Sequence, residues 1–402
     1  MNCSAPSDIA LTDRDQHLSW EALLSLVSSL ERLYGADFFE QILNDRINQL
    51  RRLFPWSCSG NLATCLQSQY YAKLLGSAVS HWPPEYYLVE RYACHYCGNW
   101  AEFWCQYLIE KIKQRYPITA KTKSSSTLQS AKFDDSRYQS RLIDNIEQHQ
   151  SRYISPHHPA EMPVSAAILL ANLEVLVKGQ KWYEMLFALD LSQTGCHFVL
   201  SAHRPEWSKP VIYSSAKIQS GSDINKWLYF SPFFSNDKWH YCSSNQHINL
   251  LRKKDILPIH CHFESDSSAK FENDLLKNMR NYQSVCEIIR LTVSGSDKLK
   301  LYLLYLSQKC LTAQLLALNY TIAFIITENP FILNYYSTLD PGSFITVCHL
   351  NIDGTRQTTC KGLWNIQQLK QDFETHQYKG YIKRVMSVRR SHRGGHEHQY
   401  MV

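Results

Sequence analysis

Glycine is scarce in this chain, 14 in 402 residues, half of the roughly 7% usual in soluble proteins. The scarcity bears on folds that cradle phosphate in glycine-rich turns. No Gly-x-Gly-x-x-Gly follows a strand pattern, and no Gly-x-x-x-x-Gly-Lys-Ser/Thr or Gly-x-Ser-x-Gly occurs. Rossmann dehydrogenases, P-loop NTPases and α/β-hydrolases are thereby excluded. Charge is sparse as well, 19% against roughly 25% in average domains. A net +6 over this length does not call for nucleic acid, although a mild positive balance suits an acidic, phosphorylated carrier. No long apolar run is intact either. The stretch 299–327 is interrupted by Lys300, Gln308, Lys309, Gln314 and Asn319, so no membrane span is expected. The first residues lack the basic start and apolar stretch of a secretory signal. With 13 cysteines, an odd number, reduced thiols in a cytoplasm are expected.

What is present is apolar and aromatic. Hydrophobic residues make up 44% and aromatics 12%, including 24 Tyr and 10 Trp, enough for large cores in two or three domains. Residues 1–118 read as helical: Ser19 can cap a helix over 20–33, others follow at 38–54, 62–79 and 99–116, and Pro55 ends the second. The polar run 119–135 reads as a linker or loop. Residues 136–382 have an α/β texture. Helices are expected at 136–150, 164–178, 270–281, 298–318 and 330–339, and strands at 183–191, 196–202, 227–230, 256–263 and 285–293. The basic, His-rich end 383–402 reads as a solvated tail.

Two clusters have a chemical look and are read as structural. Cys94-His-Tyr-Cys97, with Cys105 beyond it, lacks the second pair that a structural zinc normally needs, so buried thiols are expected. His260 and His262 flank Cys261 in an expected strand, and the default for such a pair is two satisfied, partly buried histidines. No metal site is expected.

The informative stretch is 285–339. It reads as a strand, the turn Ser294-Gly-Ser-Asp297, a long helix, a second strand over 320–327, and Glu328-Asn-Pro-Phe-Ile-Leu-Asn-Tyr-Tyr-Ser-Thr-Leu339. In the helix Lys300, Ser307 and Gln314 form a polar stripe opposite Leu303, Leu304, Leu311, Leu315 and Leu318, and Asp297 can cap its start. Glu287 and Arg290 are the oddity, because a carboxylate and a guanidinium in an apolar strand cost several kcal/mol unless paired or used. On a regular strand they face opposite sides. A bulge would bring them to one site; otherwise each serves its own surface, or both are plain ion pairs.

Strand, helix, strand and a short helix ending in Tyr-Tyr resembles the core of the GCN5-related N-acetyltransferase fold. Asn329, Pro330, Tyr335, Tyr336 and Leu339 match the signature of its last helix. The pyrophosphate loop of that fold is missing after strand 285–293, where only Gly295 stands. A broader resemblance rests on Cys286-Glu-Ile-Ile-Arg-Leu-Thr-Val-Ser-Gly295, Ile322-Ala-Phe-Ile-Ile-Thr-Glu-Asn-Pro330 and Lys361-Gly-Leu-Trp364. These look like the LuxM/AinS group of acyl-homoserine-lactone synthases of marine vibrio-type bacteria. The Glu-x-x-Arg also resembles an element of the LuxI-type synthases. Arg46-x-x-x-Leu50-x-x-x-x-x-Trp56 echoes the N-terminal motif of those enzymes that helps hold S-adenosylmethionine, with Leu50 in place of an aromatic and no acidic pair following.

The resemblance implies an α/β fold with an acetyltransferase-like mixed sheet flanked by helices, behind a helical N-terminal region. It implies acylation of S-adenosylmethionine by acyl-carrier protein or acyl-CoA, then lactone closure with loss of methylthioadenosine, and no cofactor beyond these substrates. Glu287 and Arg290 are the catalytic candidates, with Glu287 as base and Arg290 as a carboxylate clamp or a support for Glu287. Arg46, Trp56, Phe324, Glu328 and Tyr336 are the substrate-binding candidates, and Leu291, Val293, Phe324 and Ile326 the expected acyl lining. Two alternatives stay open: an acyltransferase of the same fold using another amine, and a helical interaction protein without catalysis.

Overall fold

The computed structural model describes residues 18–55, 62–118, 133–260, 263, 267–351 and 358–391, apart from 76, 80, 188, 190, 192, 205, 206, 236, 237, 243 and 244. Trp56, Cys261, His262, most of the 119–135 segment and the tail beyond 391 lie outside the described residues. The chain divides into two compact units, Met1–Cys58 with Cys65–Tyr107, and Ser59–Thr64 with Leu108–Val402.

The helices of the first 118 residues are α1 (Trp20–Tyr34), α2 (Phe38–Leu53), α3 (Leu62–Leu66), α4 (Gln69–Leu74), α5 (Pro84–Cys97) and α6 (Trp100–Arg115). The division between the units runs through α3 and α6. Ser19 caps α1 as expected, its Oγ accepting the Ala22 N–H at 3.2 Å. The single helix expected over 62–79 is two short ones, because Ser68 accepts the Tyr71 N–H at 3.1 Å and starts α4 afresh. Cys94 and Cys97 are half-buried and Cys105 is buried. Among the described residues no group of three or more His, Cys, Asp or Glu could hold a metal ion.

The second unit carries a mixed sheet of β1 (Tyr138–Ile143), β2 (Arg152–Ser155), β3 (His158–Pro163), β4 (His197–Ala202), β5 (Val211–Ser220), β6 (His240–Tyr241), β7 (Val285–Val293), β8 (Ile322–Thr327), β9 (Phe344–Asn351) and β10 (Thr358–Asn365). Its order is β1-β4-β5-β7-β8-β10-β9-β6, with the β2–β3 hairpin joined at β5. The central pair β7–β8 is parallel, and so is β2–β5; the other pairings are antiparallel. The helices are α7 (Val164–Asn172), running into a π-helical turn Leu173–Lys178, α8 (Glu184–Phe187), α9 (Gln246–Lys253), α10 (Ser268–Asn278), α11 (Asp297–Ala317), α12 (Pro330–Tyr336), α13 (Ile366–Thr375) and α14 (Tyr378–Ser391). This is the acetyltransferase-like arrangement that the 285–339 stretch implied. No helix among the described residues is long and apolar enough to cross a membrane.

Several expected elements differ. The helix expected over 136–150 is the strand β1, which follows its six-residue pairing with β4 rather than its local pattern. The strand expected over 183–191 holds the short helix α8, and the one over 227–230 is the 3-10 turn Leu228–Phe230. No strand forms over the described part of 256–263, where His260 is exposed in a turn. The basic end is helical in α14 as far as Ser391. In α11, Ser296 rather than Asp297 takes the N-cap position. The stripe reading of α11 is also corrected: Lys300 is exposed and Gln314 half-buried, but Ser307 is fully buried, because at 100° per residue it falls between Leu303 and Leu311 in a helix that packs on β1, β5, β7 and α13.

Strand alternation gives the sheet two chemically different faces. Cys286, Ile288, Ala323, Ile325 and Trp364 join Leu303, Leu311, Leu315, Tyr335 and Tyr336 in the large core. Glu287, Phe324 and Lys361 occupy the alternating positions, so the opposite face carries the charges.

Candidate active site

Glu287 has no exposed surface. Its carboxylate is carried by the 3-10 turn Leu228–Phe230: Oε2 accepts the Leu228 N–H at 2.9 Å and Oε1 the Tyr229 N–H at 2.6 Å. The first N–H groups of a helical turn have no partner within the turn, so a carboxylate from a neighbouring strand can serve as their cap. Burial pushes the Glu287 carboxyl up to about 7, against the opposing pull of those two N–H groups and of the Arg290 and Lys361 charges. Trp227, Tyr229 and Phe230 surround the Phe324 ring at 5.2, 5.1 and 5.9 Å between centroids. Phe324 stands beside Glu287 in the β7–β8 register. The water-excluding wall of the site is therefore aromatic.

The bulge is present. Between Ser215↔Thr292 and Lys217↔Ile289 the register of β5 and β7 shifts, so Arg290 and Leu291 lie opposite the single residue Ala216. Arg290 has φ 57°, a left-handed conformation rare for a side chain of this size. Core membership passes accordingly from Cys286 and Ile288 to Leu291 and Val293, and Arg290 falls on the Glu287 side. Its guanidinium helps hold the carboxylate ionised. Leu291 and Val293, expected as acyl lining, pack instead against the large core.

Parallel pairing of β7 with β8 ends at Ile288↔Ile325, while β7 runs on to Val293 along β5 and β8 to Thr327 along β10. Glu287 and Phe324 stand just before the point where the pairing of the two strands ends.

Two buried groups of this face escape a reading of the sequence. Lys361, whose side chain is fully buried, donates to Glu272 Oε1 at 2.5 Å and to the Tyr229 carbonyl at 2.7 Å. Glu272 Oε2 accepts the Ser235 hydroxyl. A signal for Lys361 was available: it is a lone charge inside the strand Thr-Thr-Cys-Lys-Gly-Leu-Trp-Asn, the same anomaly that singled out Glu287. Glu272 lies on an amphipathic helix and carries no such mark.

A model of the acyl homoserine lactone synthase family matches residues 14–394. The chain belongs to the acyl-homoserine-lactone synthase family. It is 33% identical over 380 residues to the acyl-homoserine-lactone synthase LuxM of Vibrio campbellii (strain ATCC BAA-1116), covering 94% of this chain and 93% of that one. It is 34% identical over 369 residues to LuxM of Vibrio atlanticus (strain LGP32), 92% of each chain. The acyl-homoserine-lactone synthase OpaM of Vibrio parahaemolyticus is 31% identical over 385 residues, 96% of this chain and 95% of its own. No solved structure matches the chain. The protein is thus an acyltransferase that makes a quorum-sensing autoinducer.

The synthase brings together some of the residues singled out in the sequence and separates others. Glu287, Arg290 and Phe324 share one face. Glu328, just past β8, is partly buried, and its carboxyl is raised by burial and then by the Glu184 carboxylate. Glu184 itself accepts the Leu62 N–H at 2.7 Å, while its Oε2 has no hydrogen-bond partner among the described residues. Tyr336 is on the other face: it is buried in the large core and its hydroxyl donates to Gln308 Oε1 at 2.6 Å. Tyr336 therefore packs with the large core, on the side of the sheet opposite Glu287. Arg46 lies in the helical unit with no exposed surface. Its guanidinium donates to Glu90 at 2.7–3.1 Å, to Gln49 at 2.8 Å and to the Ser77 carbonyl at 3.0 Å, and it lies 4.5 Å from the Trp82 ring centre. A guanidinium so engaged ties helices together.

Proposed function

We propose that this synthase acylates the α-amine of S-adenosylmethionine with an acyl thioester, from acyl-carrier protein or acyl-CoA, and then closes the lactone, with Glu287 as the general base. The observation that carries this reading is a buried carboxyl pushed up to about 7 beside the point where the pairing of β7 with β8 ends. An α-amine has a pKa near 8 and is mostly protonated at neutral pH. A base of pKa near 7, directly or through one water, is matched to removing that proton. The freed nitrogen attacks the thioester carbonyl, the carbon–sulfur bond breaks, and the thiol leaves with a proton. A backbone N–H of the β7 bulge is our donor for the developing oxyanion.

In the second step a carboxylate oxygen of the acylated substrate attacks the γ-carbon. The bond from that carbon to the sulfonium breaks, and methylthioadenosine leaves as a neutral thioether. Arg290 suits the role of clamp on that carboxylate. Glu328 and Glu184 supply negative charge for the cationic substrate, and Phe324 and its aromatic neighbours wall off water. Trp56 receives no role here.

The test is direct. Purified protein is incubated with S-adenosylmethionine and a panel of acyl-carrier and acyl-CoA thioesters, and mass spectrometry looks for methylthioadenosine and an N-acyl lactone in equal amounts. Absence of both with every acyl length would overturn the reading.

A further inference from the structure

We propose that Lys361, held by Glu272, is a positioning residue for this site, fixing the turn that carries Glu287 and setting the charge that Glu287 experiences. The functional meaning rests on Glu287 as base, but the geometry stands apart from it. Tyr229 is gripped at both ends: its N–H goes to Glu287 at 2.6 Å and its carbonyl takes the Lys361 ammonium at 2.7 Å. The ammonium lies 4.9 Å from the Tyr229 ring centre and 5.1 Å from that of Trp239. Neither partner of the Lys361–Glu272 pair reaches solvent appreciably, with side-chain exposures of 0% and 4%.

A buried ion pair is a poor way to gain stability, since apolar residues of the same shape often do as well or better. Its effect here is specific: it clamps one residue of a three-residue turn, and that turn presents two N–H groups to one carboxylate. The pair also adjusts charge. The groups bearing on Glu287 are Arg290 and Cys286 from β7, Lys361 from β10 and Tyr229 from the turn. Glu272 from α10 and Cys348 from β9 bear on both Lys361 and Tyr229, and Tyr241 from β6 bears on Tyr229. With Glu272 ionised, much of the Lys361 charge is compensated. Neutralising Glu272 leaves Lys361 acting on Glu287 alone and favours the carboxylate. Removing Lys361 does the opposite.

The experiment uses the full-length protein as wild type, Lys361→Met, Glu272→Gln and Lys361→Met/Glu272→Met. The titration midpoint of the Glu287 carboxyl is read by isotope-edited infrared spectroscopy with 13C-labelled glutamate, assigned by its loss in Glu287→Gln. The acidic limb of the kcat profile for lactone formation is measured in parallel. Lys361→Met is expected to raise the midpoint by about one pH unit and Glu272→Gln to lower it by a similar amount. For Lys361→Met the loss of rate at pH 7 is expected to be about fivefold, the drop in ionised Glu287 that a one-unit rise from about 7 produces, and to recover toward pH 8.5. The double variant keeps the volume of the pair, guards against a single variant that does not fold, and is expected to raise the midpoint. Folded variants with an unmoved Glu287 midpoint would overturn the inference even if lactone is made. A wild-type protein that makes no lactone would overturn the proposed function instead, while the infrared midpoint still decides the role of Lys361.

Discussion

Arg290 follows Glu287 by three residues, yet its guanidinium bears on the same carboxyl, because the left-handed backbone at Arg290 puts an extra residue into β7. A regular strand would aim the two side chains at opposite faces. The strain of that conformation, of order 1–2 kcal/mol for a non-glycine residue, is located where it re-aims a charge. This separates what the Arg290 backbone does from what its side chain does.

Arg290→Asn and Arg290→Val both remove the guanidinium, but asparagine tolerates φ near 57° and a β-branched residue does not. Arg290→Val is expected to be less stable than Arg290→Asn by about 1–2 kcal/mol, measured by denaturant unfolding. Both are expected to lose at least about tenfold in kcat for lactone formation. Full activity in Arg290→Asn would remove the guanidinium from the mechanism.

Glu287→Gln is expected to lower kcat by about 100-fold to 10,000-fold, the usual contribution of a positioned base, with KM changed far less. The wild-type rate is expected to rise with pH through about 7, where Glu287 gives up its proton. Stability runs the other way. The carboxyl binds its proton more tightly folded than unfolded, so its contribution is fully present below about 4.5 and is lost as pH rises through about 7. The stability of Glu287→Gln relative to wild type is therefore expected to improve by a few kcal/mol between pH 4.5 and 8. A pH-independent difference in melting temperature would contradict the raised carboxyl.

The sequence made Glu287 and Arg290 legible because charge inside an apolar strand has few innocent explanations. It also carried the strand, helix, strand and short helix of 285–336, since each segment there is long or strongly patterned. It did not carry the rest of the sheet. β1 has a weak local pattern and owes its form to β4, and β9 and β10 are defined by each other and by β8. The turn at 228–230 is apolar and aromatic like a buried strand, and only its position against Glu287 shows that its N–H groups matter. The surroundings of Arg46 were illegible for a related reason: a motif echo places a residue in sequence, while the Glu90 that engages it is 44 residues away.

The few glycines report on this turn. A Cβ on Gly221 would stand 1.9 Å from the Tyr282 carbonyl oxygen and 2.9 Å from a Val285 methyl. The first obstacle is backbone and cannot rotate away. Gly221→Ala must push the 221–230 segment off β7, so it is expected to cost at least about 1–3 kcal/mol and to reduce kcat, because the same segment carries Leu228 and Tyr229. Gly342→Ala is the control, with nothing within 4 Å of its added carbon. Calorimetry and the lactone assay on both variants check the contrast, and equal effects would sink it.

Arg46 and Glu90 form a second buried ion pair, in the helical unit, at 2.7 Å with side-chain exposures of 0% and 2%. Burial raises the Glu90 carboxyl even with Arg46 beside it, so neither charge is comfortable alone. Arg46→Ala is expected to cost about 3–5 kcal/mol, because it strands the Glu90 charge. Arg46→Met/Glu90→Met removes both charges and is expected to recover most of that loss. The double variant also decides between the structural role and the ligand role. If Arg46 only ties helices, the folded double variant keeps the wild-type KM for S-adenosylmethionine within about twofold. A folded double variant whose KM rises tenfold, about 1.4 kcal/mol of lost binding, would place Arg46 at the substrate and exclude a purely structural role.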